Sequence, residues 1–337
     1  MASETGAAAA AAHQTQHAKS ILDQISLVQV GKDEYVSATF PQRMGNMRPI
    51  AYGGCATAIA VNAAFQTIQP GFNVYSILGY FLGPALIDRP IRCHVHRVRD
   101  TRTFATRRVT VSQVFPDGRE RNCLELTADF QATEKGEAMA YDPRLSGPYK
   151  PPSQTPTADE HLNRFVAEGK MSKKQAELLT STFGLMASYF DQRLVPEGHS
   201  SQKMLGFAKH EPTTQDHLHL TDKLSVEWMQ AKAKMTTQAE NVSALAFNMD
   251  GGLSFLPLIH DDKFLDDAGD CSSLDFALRI FSPKVDLNEW HLKERKTIAG
   301  GHGRTYSEAR LFDQNGKLVA IESQQGIMRP KKAKPAL

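Results

Sequence analysis

The sequence predicts an α+β protein built from two tandem copies of one unit, each a long helix wrapped by a curved antiparallel sheet. Three observations predict it: matching strings recur at a nearly constant offset, alternating apolar runs mark strands in both halves, and a stretch of small residues marks a tightly enclosed helix. AYGGCATAI begins at residue 51 and MDGGLSFLP at residue 249, an offset of 198. YFLGP ends at Pro84 and RIFSP at Pro283, an offset of 199, and the turns FPDG and FDQNG end at Gly118 and Gly316, again 198 apart. A constant offset carried through several motifs is the mark of duplication.

Residues 1–20 hold Ala, Gln, His and Thr with little to pack, and are expected to form a mobile tail. The first unit spans 21–142. Its helix, Gly53 to Thr67, carries Gly, Ala, Cys and Thr on most faces, as a helix closely wrapped by a sheet requires. Strands follow, because Ile91, Cys93 and Val95 alternate with polar neighbours, as do Ala105, Val109, Val111 and Phe115, and then Leu124, Leu126, Ala128 and Phe130. The last two join at Pro116-Asp117-Gly118. Residues 143–209 read as a Pro-rich linker, with Pro143, Pro148, Pro151, Pro152 and Pro156, and a helical insert over Ala158 to Tyr189 interrupted near Gly169. The second unit spans 210–330, and strands over Trp290–Lys296, Arg304–Phe312 and Lys317–Ile327 repeat the scheme. Residues 331–337 form a short basic tail. One helix enclosed by such a sheet is a hotdog fold, and two copies make a double hotdog.

Composition narrows the function. The 337 residues carry a formal net charge of +2, so no overall attraction draws the chain to nucleic acid. The longest apolar stretch, Gly53 to Phe65, is broken by Asn62 and falls short of the roughly 20 residues of a membrane span. The first basic residue is Lys19, which is unlike a secretory signal, and Cys55, Cys93, Cys123 and Cys271 are far apart, which points to an intracellular, reducing compartment. His94 and His96 share a strand face but have no third ligand in view, so no metal site is expected.

A duplicated backbone allows the copies to be compared for chemistry. At these offsets Asp250 falls on Tyr52, Ser273 on Val74 or Tyr75, and Gln324 on Leu126, so copy two alone carries a carboxylate, a hydroxyl and an amide. Asp250 is expected at the N-terminal end of its helix, where free N–H groups and the macrodipole favour the ionised carboxylate. Each residue alone has an ordinary reading: a helix cap, a polar strand edge, a solvated amide.

The strings GYFLGP, DTRTFATRRV and LTADFQ in the first half, and LSFLPL, DLNEW, FDQNGKLVA and QQGIMR in the second, resemble the acyl-CoA thioesterase II family of bacterial thioesterase II and peroxisomal acyl-CoA thioesterases. The resemblance implies a double hotdog that hydrolyses acyl-CoA to the free acid and CoA through an activated water, without a cofactor. It places the catalytic trio on Asp250, Ser273 and Gln324, the same positions singled out by the comparison of copies. Backbone N–H groups near Gly251 and Gly252 would meet the oxyanion. Arg304, with Arg107 and Arg108, would meet the phosphates of CoA.

The chain departs from the family at Leu78, where members commonly carry His, and at Asp275-Phe276, where they carry Asp-His. Two other readings stay open from the residues: a hotdog hydratase or dehydratase, and a non-catalytic acyl-CoA binder. Peroxisomal members often end in a Ser-Lys-Leu-type address, whereas this chain ends Lys334-Pro335-Ala336-Leu337, so peroxisome and cytosol both remain. A homodimer or higher oligomer is expected, because hotdog sheets commonly close their edges by pairing.

Overall fold

Reciprocal caps set where several of the helices begin. In the computed structural model, which describes residues 17–136 and 138–331, Ser20 accepts from the Asp23 N–H and the Asp23 carboxylate accepts from the Ser20 N–H, starting α1 at Ile21–Ile25. The expected N-terminal tail lies outside the described residues as far as residue 16. Its last residues are structured, with Ala18 buried and Ser20 capping α1. The C-terminal address at Lys334 to Leu337 also lies outside the described residues.

The first half continues through β1 (Leu27–Gly31), β2 (Glu34–Ser37), α2 (Gly53–Phe65), β3 (Phe72–Phe81), β4 (Arg92–Asp100), β5 (Phe104–Val114) and β6 (Glu120–Ala132). The middle of the chain holds α3 (Ala158–Ala167) and α4 (Lys173–Tyr189), each opened by a capping box, at Thr157 and Ser172. Then come β7 (Phe190–Leu194), the short α5 (His199–Gln202), β8 (Ser225–Ala231), α6 (Gln238–Met249), α7 (Leu256–His260), β9 (Ala268–Ile280), β10 (His291–Gly301), β11 (Arg304–Asp313) and β12 (Leu318–Pro330). β7 falls inside the stretch read as linker and insert, yet it pairs with β8 and forms one edge of the sheet.

All twelve strands form one sheet in the order β1-β2-β4-β5-β6-β3-β9-β12-β11-β10-β8-β7, with antiparallel pairing throughout. The order is the same read outward from the centre in either direction once the two halves are matched. The halves meet where β3 pairs with β9, from Ser76 opposite Arg279 to Tyr80 opposite Asp275. Among the described residues no helix is long and apolar enough to cross a membrane.

The constant offset describes the β5–β6 hairpin against β11–β12, but not β4 against β10, and it fails for the helices. The glycine pair Gly53-Gly54 opens α2, whereas Gly251-Gly252 follows the end of α6. The reason is local. Thr237 and Glu240 form a capping box that starts α6 early, and Asp250 is its C-cap. Asp250 therefore stands at the C-terminal end of its own helix, not at the N-terminal end expected from sequence.

The start of α2 lies against the end of α6, and the Tyr52 hydroxyl donates to the Phe247 carbonyl at 2.8 Å. Small residues permit this approach: Cys55, Ala58, Ala60, Ala63 and Ala64 of α2 are all buried. At Gly54 a Cβ would stand 2.4 Å from the Tyr52 ring and 2.7 Å from the Phe247 carbonyl oxygen. Gly54→Ala is therefore expected to lower unfolding free energy by about 1–3 kcal/mol through overpacking, despite its gain in helix propensity. Urea titration of both variants checks this: Gly301→Ala, whose Cβ meets nothing within 4 Å, is expected to stay within about 0.5 kcal/mol of the parent.

Candidate active site

Antiparallel alternation decides which side chains of β12 face the helices: Glu322 and Gln324 point inward and are buried, while Ser323 and Gln325 lie on the other face. Directly above them α6 ends. Gln324 Nε2 donates to Asp250 Oδ1 at 2.7 Å, and both side chains are buried. The second carboxylate oxygen faces α2, since a Cβ on Gly53 would stand 3.0 Å from Asp250 Oδ2. Tyr52 gives α2 no side-chain cap, so the first N–H groups of that helix are free to act on a partner from outside. A helix N-terminus does favour the Asp250 carboxylate, but it belongs to the other half of the chain.

Burial pushes the Asp250 carboxyl up to about 6, against the Gln324 amide, the Gly54 N–H and the Tyr52 hydroxyl, which hold it down. A carboxylate in that range exchanges protons near neutrality. Its neighbour Glu322 is pushed well above the ordinary range by burial and by the charge of Asp250, with Lys293 opposing.

Ser273 stands opposite Gly326, one inward station beyond the pair formed by Gln324 and Phe276. It shares the face of Gln324, but no hydrogen bond joins it to Asp250 or Gln324 among the described residues. The structure thus joins two of the three expected residues directly, and the third lies on the neighbouring strand opposite Gly326.

The remaining candidates separate. Gly251 gives its N–H to the Asn248 carbonyl at 3.1 Å, so that donor is already committed. Gly252 has φ of 95°, and its missing Cβ leaves room for the Arg295 guanidinium, 2.5 Å from where the atom would be. Arg107 is no phosphate ligand: it is 1% exposed, and its guanidinium is spent on Thr67, the Arg99 and Thr106 carbonyls and Asp100. Arg108 lies on the outer face beside Glu125 at 3.3 Å, and Arg304 is exposed at the start of β11, away from the Asp250 pair.

A larger asymmetry escaped the sequence comparison. The hairpins pair Val109 with Leu126 in the first half and Ser307 with Gln324 in the second, which fixes equivalent stations. At these stations Ile91, Cys93, Val109, Leu124 and Leu126 correspond to Lys293, Arg295, Ser307, Glu322 and Gln324, all buried. Burying such groups costs several kcal/mol per ion unless they are paired, so this polar patch on the inner face marks a site. The sequence signal was available in the alternation of Lys293 and Arg295 against Ile91 and Cys93. It was hidden because charged strands ordinarily read as solvated. Gln324 Oε1, Glu322 Oε1, Ser307 Oγ and Thr305 Oγ1 are buried here without protein partners, and a water or an incoming polar ligand would satisfy them. Met186 of α4 covers the site, accepting from the Asn248 amide at 3.3 Å.

Residues 40–131 match the acyl-CoA thioesterase N-terminal domain family, and residues 187–328 match the acyl-CoA thioesterase C-terminal domain family. This chain belongs to the acyl-CoA thioesterase family. Acyl-CoA thioesterase 2 of Haemophilus influenzae is 24% identical over 289 residues, covering 82% of this chain and 87% of that protein. The crystal structure of acyl-CoA thioesterase II TesB2 from Mycobacterium marinum superposes with a TM-score of 0.66 at 20% identity, covering 93% of this chain and 99% of that one. A hot dog fold protein from Alicyclobacillus acidocaldarius gives 0.65 at 16% identity, covering 95% and 100%. The thioesterase chain therefore has a hotdog fold.

The carboxyl resonance of Asp250, followed by carbon NMR in this acyl-CoA thioesterase family member, is expected to titrate near pH 6. Gln324→Leu removes a donor to the ionised form and should move that titration upward. An unmoved or lowered midpoint would contradict the electrostatic reading of the pair.

Proposed function

We propose that the chain hydrolyses acyl-CoA thioesters to the free acid and CoA, with Asp250 as the base that activates water. The observation that carries the reading is a buried carboxylate, pushed to about 6 and bonded at 2.7 Å to Gln324, in a member of the acyl-CoA thioesterase family. The two halves form a double hotdog, a reading supported by the matched strand order on either side of the β3–β9 junction. We take residues 21–142 and 210–330 as the two units, with β7 added to the second from the intervening 143–209.

In this mechanism the water oxygen attacks the thioester carbonyl carbon while its proton passes to Asp250. The tetrahedral intermediate then expels the CoA thiolate, which recovers the proton from Asp250. Gln324 orients the carboxylate and Ser273 helps to hold the water. Gly252 is the backbone donor assigned to the oxyanion, since Gly251 is committed elsewhere. Arg304 and Arg108 are left for the phosphates of CoA. A hydratase would need a histidine working beside the carboxylate. The nearest following histidine, His260, is instead buried against Ser225 at 2.9 Å. The sheet leaves β1 and β7 as edges, and pairing at one of them is the route we assign to self-association.

Release of free thiol from short-, medium- and long-chain acyl-CoAs tests the reading. Asp250→Asn is expected to lower turnover by about 10²–10⁴, and undiminished turnover would remove Asp250 as base. The same substitution should stabilise the fold. The Asp250 carboxyl lies above its ordinary value of 3.8 in the folded state, so its ionisation costs stability as pH rises from there through about 6. Asp250→Asn is thus expected to raise Tm at pH 7.5 and to lose that advantage near pH 4. An equal effect at both pH values would contradict the assignment.

A further inference from the structure

Two buried cations on β10 reach the backbone on either side of Asp250, and a buried carboxylate on β8 holds them both. Lys293 Nζ donates to the Asn248 side-chain oxygen at 2.8 Å and to the Asn248 carbonyl at 3.3 Å. Arg295 donates from one guanidinium nitrogen to the Gly251 carbonyl at 3.1 Å. Glu227, across the β8–β10 ladder, holds both cations, at 2.8 Å from Lys293 and 3.2 Å from Arg295. None of the three is more than 6% exposed. The matched stations in the first half hold Ser37, Ile91 and Cys93, so the fold itself does not require charges there.

Resting on the proposed role of Asp250, we infer that Glu227, Lys293 and Arg295 form a clamp that fixes the Asp250 carboxylate by gripping the carbonyls before and after it. They are positioning residues. The last carbonyls of α6 lack helical partners and carry the negative end of its dipole, which by itself repels a carboxylate at the C-cap. Lys293 meets one of them, that of Asn248, and Arg295 meets the Gly251 carbonyl just past the C-cap, so the two cations offset that field from both sides. They also fix the turn whose orientation decides whether Asp250 reaches Gln324 and the start of α2. A buried ion triad is commonly no more stable than apolar side chains of similar volume, so its retention beside the reacting group argues for placement rather than for fold stability. The counter-charge is tightly held: burial opposes ionisation of Glu227, yet Arg295 and Lys293 bring it down to about 2.

Among the described residues, the titratable groups that act on Asp250 are Tyr52 and Cys55 from the first half and Glu322 on β12, while Lys293 and Arg295 on β10 meet the backbone beside it with Glu227 behind them on β8. Two measurements on the full chain test the clamp: the Asp250 carboxyl titration by carbon NMR, and kcat and KM for acyl-CoA as functions of pH. In Lys293→Met the Asp250 midpoint and the acid limb of kcat are expected to move together to higher pH. The expected fall in kcat is about 10- to 100-fold, the scale of a small misplacement of a reacting group, with KM within about twofold. Lys293→Arg should recover most of the loss.

The triple variant Glu227→Leu, Lys293→Met, Arg295→Met guards against loss of the fold, because it replaces the whole triad with apolar groups. It should remain folded and yet show the same displaced titration and reduced kcat. A folded triple variant with the parental Asp250 midpoint overturns the clamp, whatever the turnover. A parent that releases no thiol from any acyl-CoA overturns the proposed function instead, while the NMR titration still judges the clamp.

Discussion

Everything in this site depends on keeping one carboxylate charged while it is shut away from water. Asp250 meets that requirement between the ends of two helices from different halves of the chain. The negative end of α6 works against its charge, and the free N–H groups at the start of α2 work for it. The Gln324 amide supplies a directed bond from the sheet, and two buried cations neutralise the carbonyls on either side. The packing of α2 on α6, made possible by Gly54, is therefore part of the electrostatics as well as of the core.

The two matched halves of the sheet differ in what their inner faces carry. The inner face of the first half, with Ile91, Cys93, Val109, Leu124 and Leu126, is an apolar platform that packs the small-residue helix α2. The corresponding face of the second half is polar and, in places, unpaired. Such a face is unfavourable for folding and favourable for chemistry, since a dry environment strengthens each charge and dipole that acts on a reacting group. The helix α4, drawn from outside the repeated units, extends that dryness by laying Met186 against the turn after α6.

Much of the architecture was legible because strands announce themselves by alternation. The offset taken from the Gly118 and Gly316 turns matches β6 to β12, which places Gln324 on Leu126 as the structure does. The helices were misregistered because the two glycine pairs look alike but do different work. Gly53-Gly54 admits a neighbouring helix, while Gly252 turns the chain in a left-handed conformation past Arg295. The capping pattern at Thr237 and Glu240 was the local signal that would have corrected it. Glu227, Lys293, Arg295 and Glu322 stayed hidden, since nothing in a single charged strand says which of its faces is dry. Arg107 misled for the opposite reason: an arginine in a basic run looks available until its donors are counted.

The central claim is that Asp250 acts on water and does not itself attack the thioester. A single turnover in ¹⁸O-labelled water, with enzyme in excess over acyl-CoA, separates the two. The account predicts that the label enters the released acid in that first turnover and that the peptide containing Asp250 keeps its unlabelled mass. Unlabelled acid together with ¹⁸O in the Asp250 carboxylate would mean that an acyl-aspartyl anhydride had formed, and would contradict it.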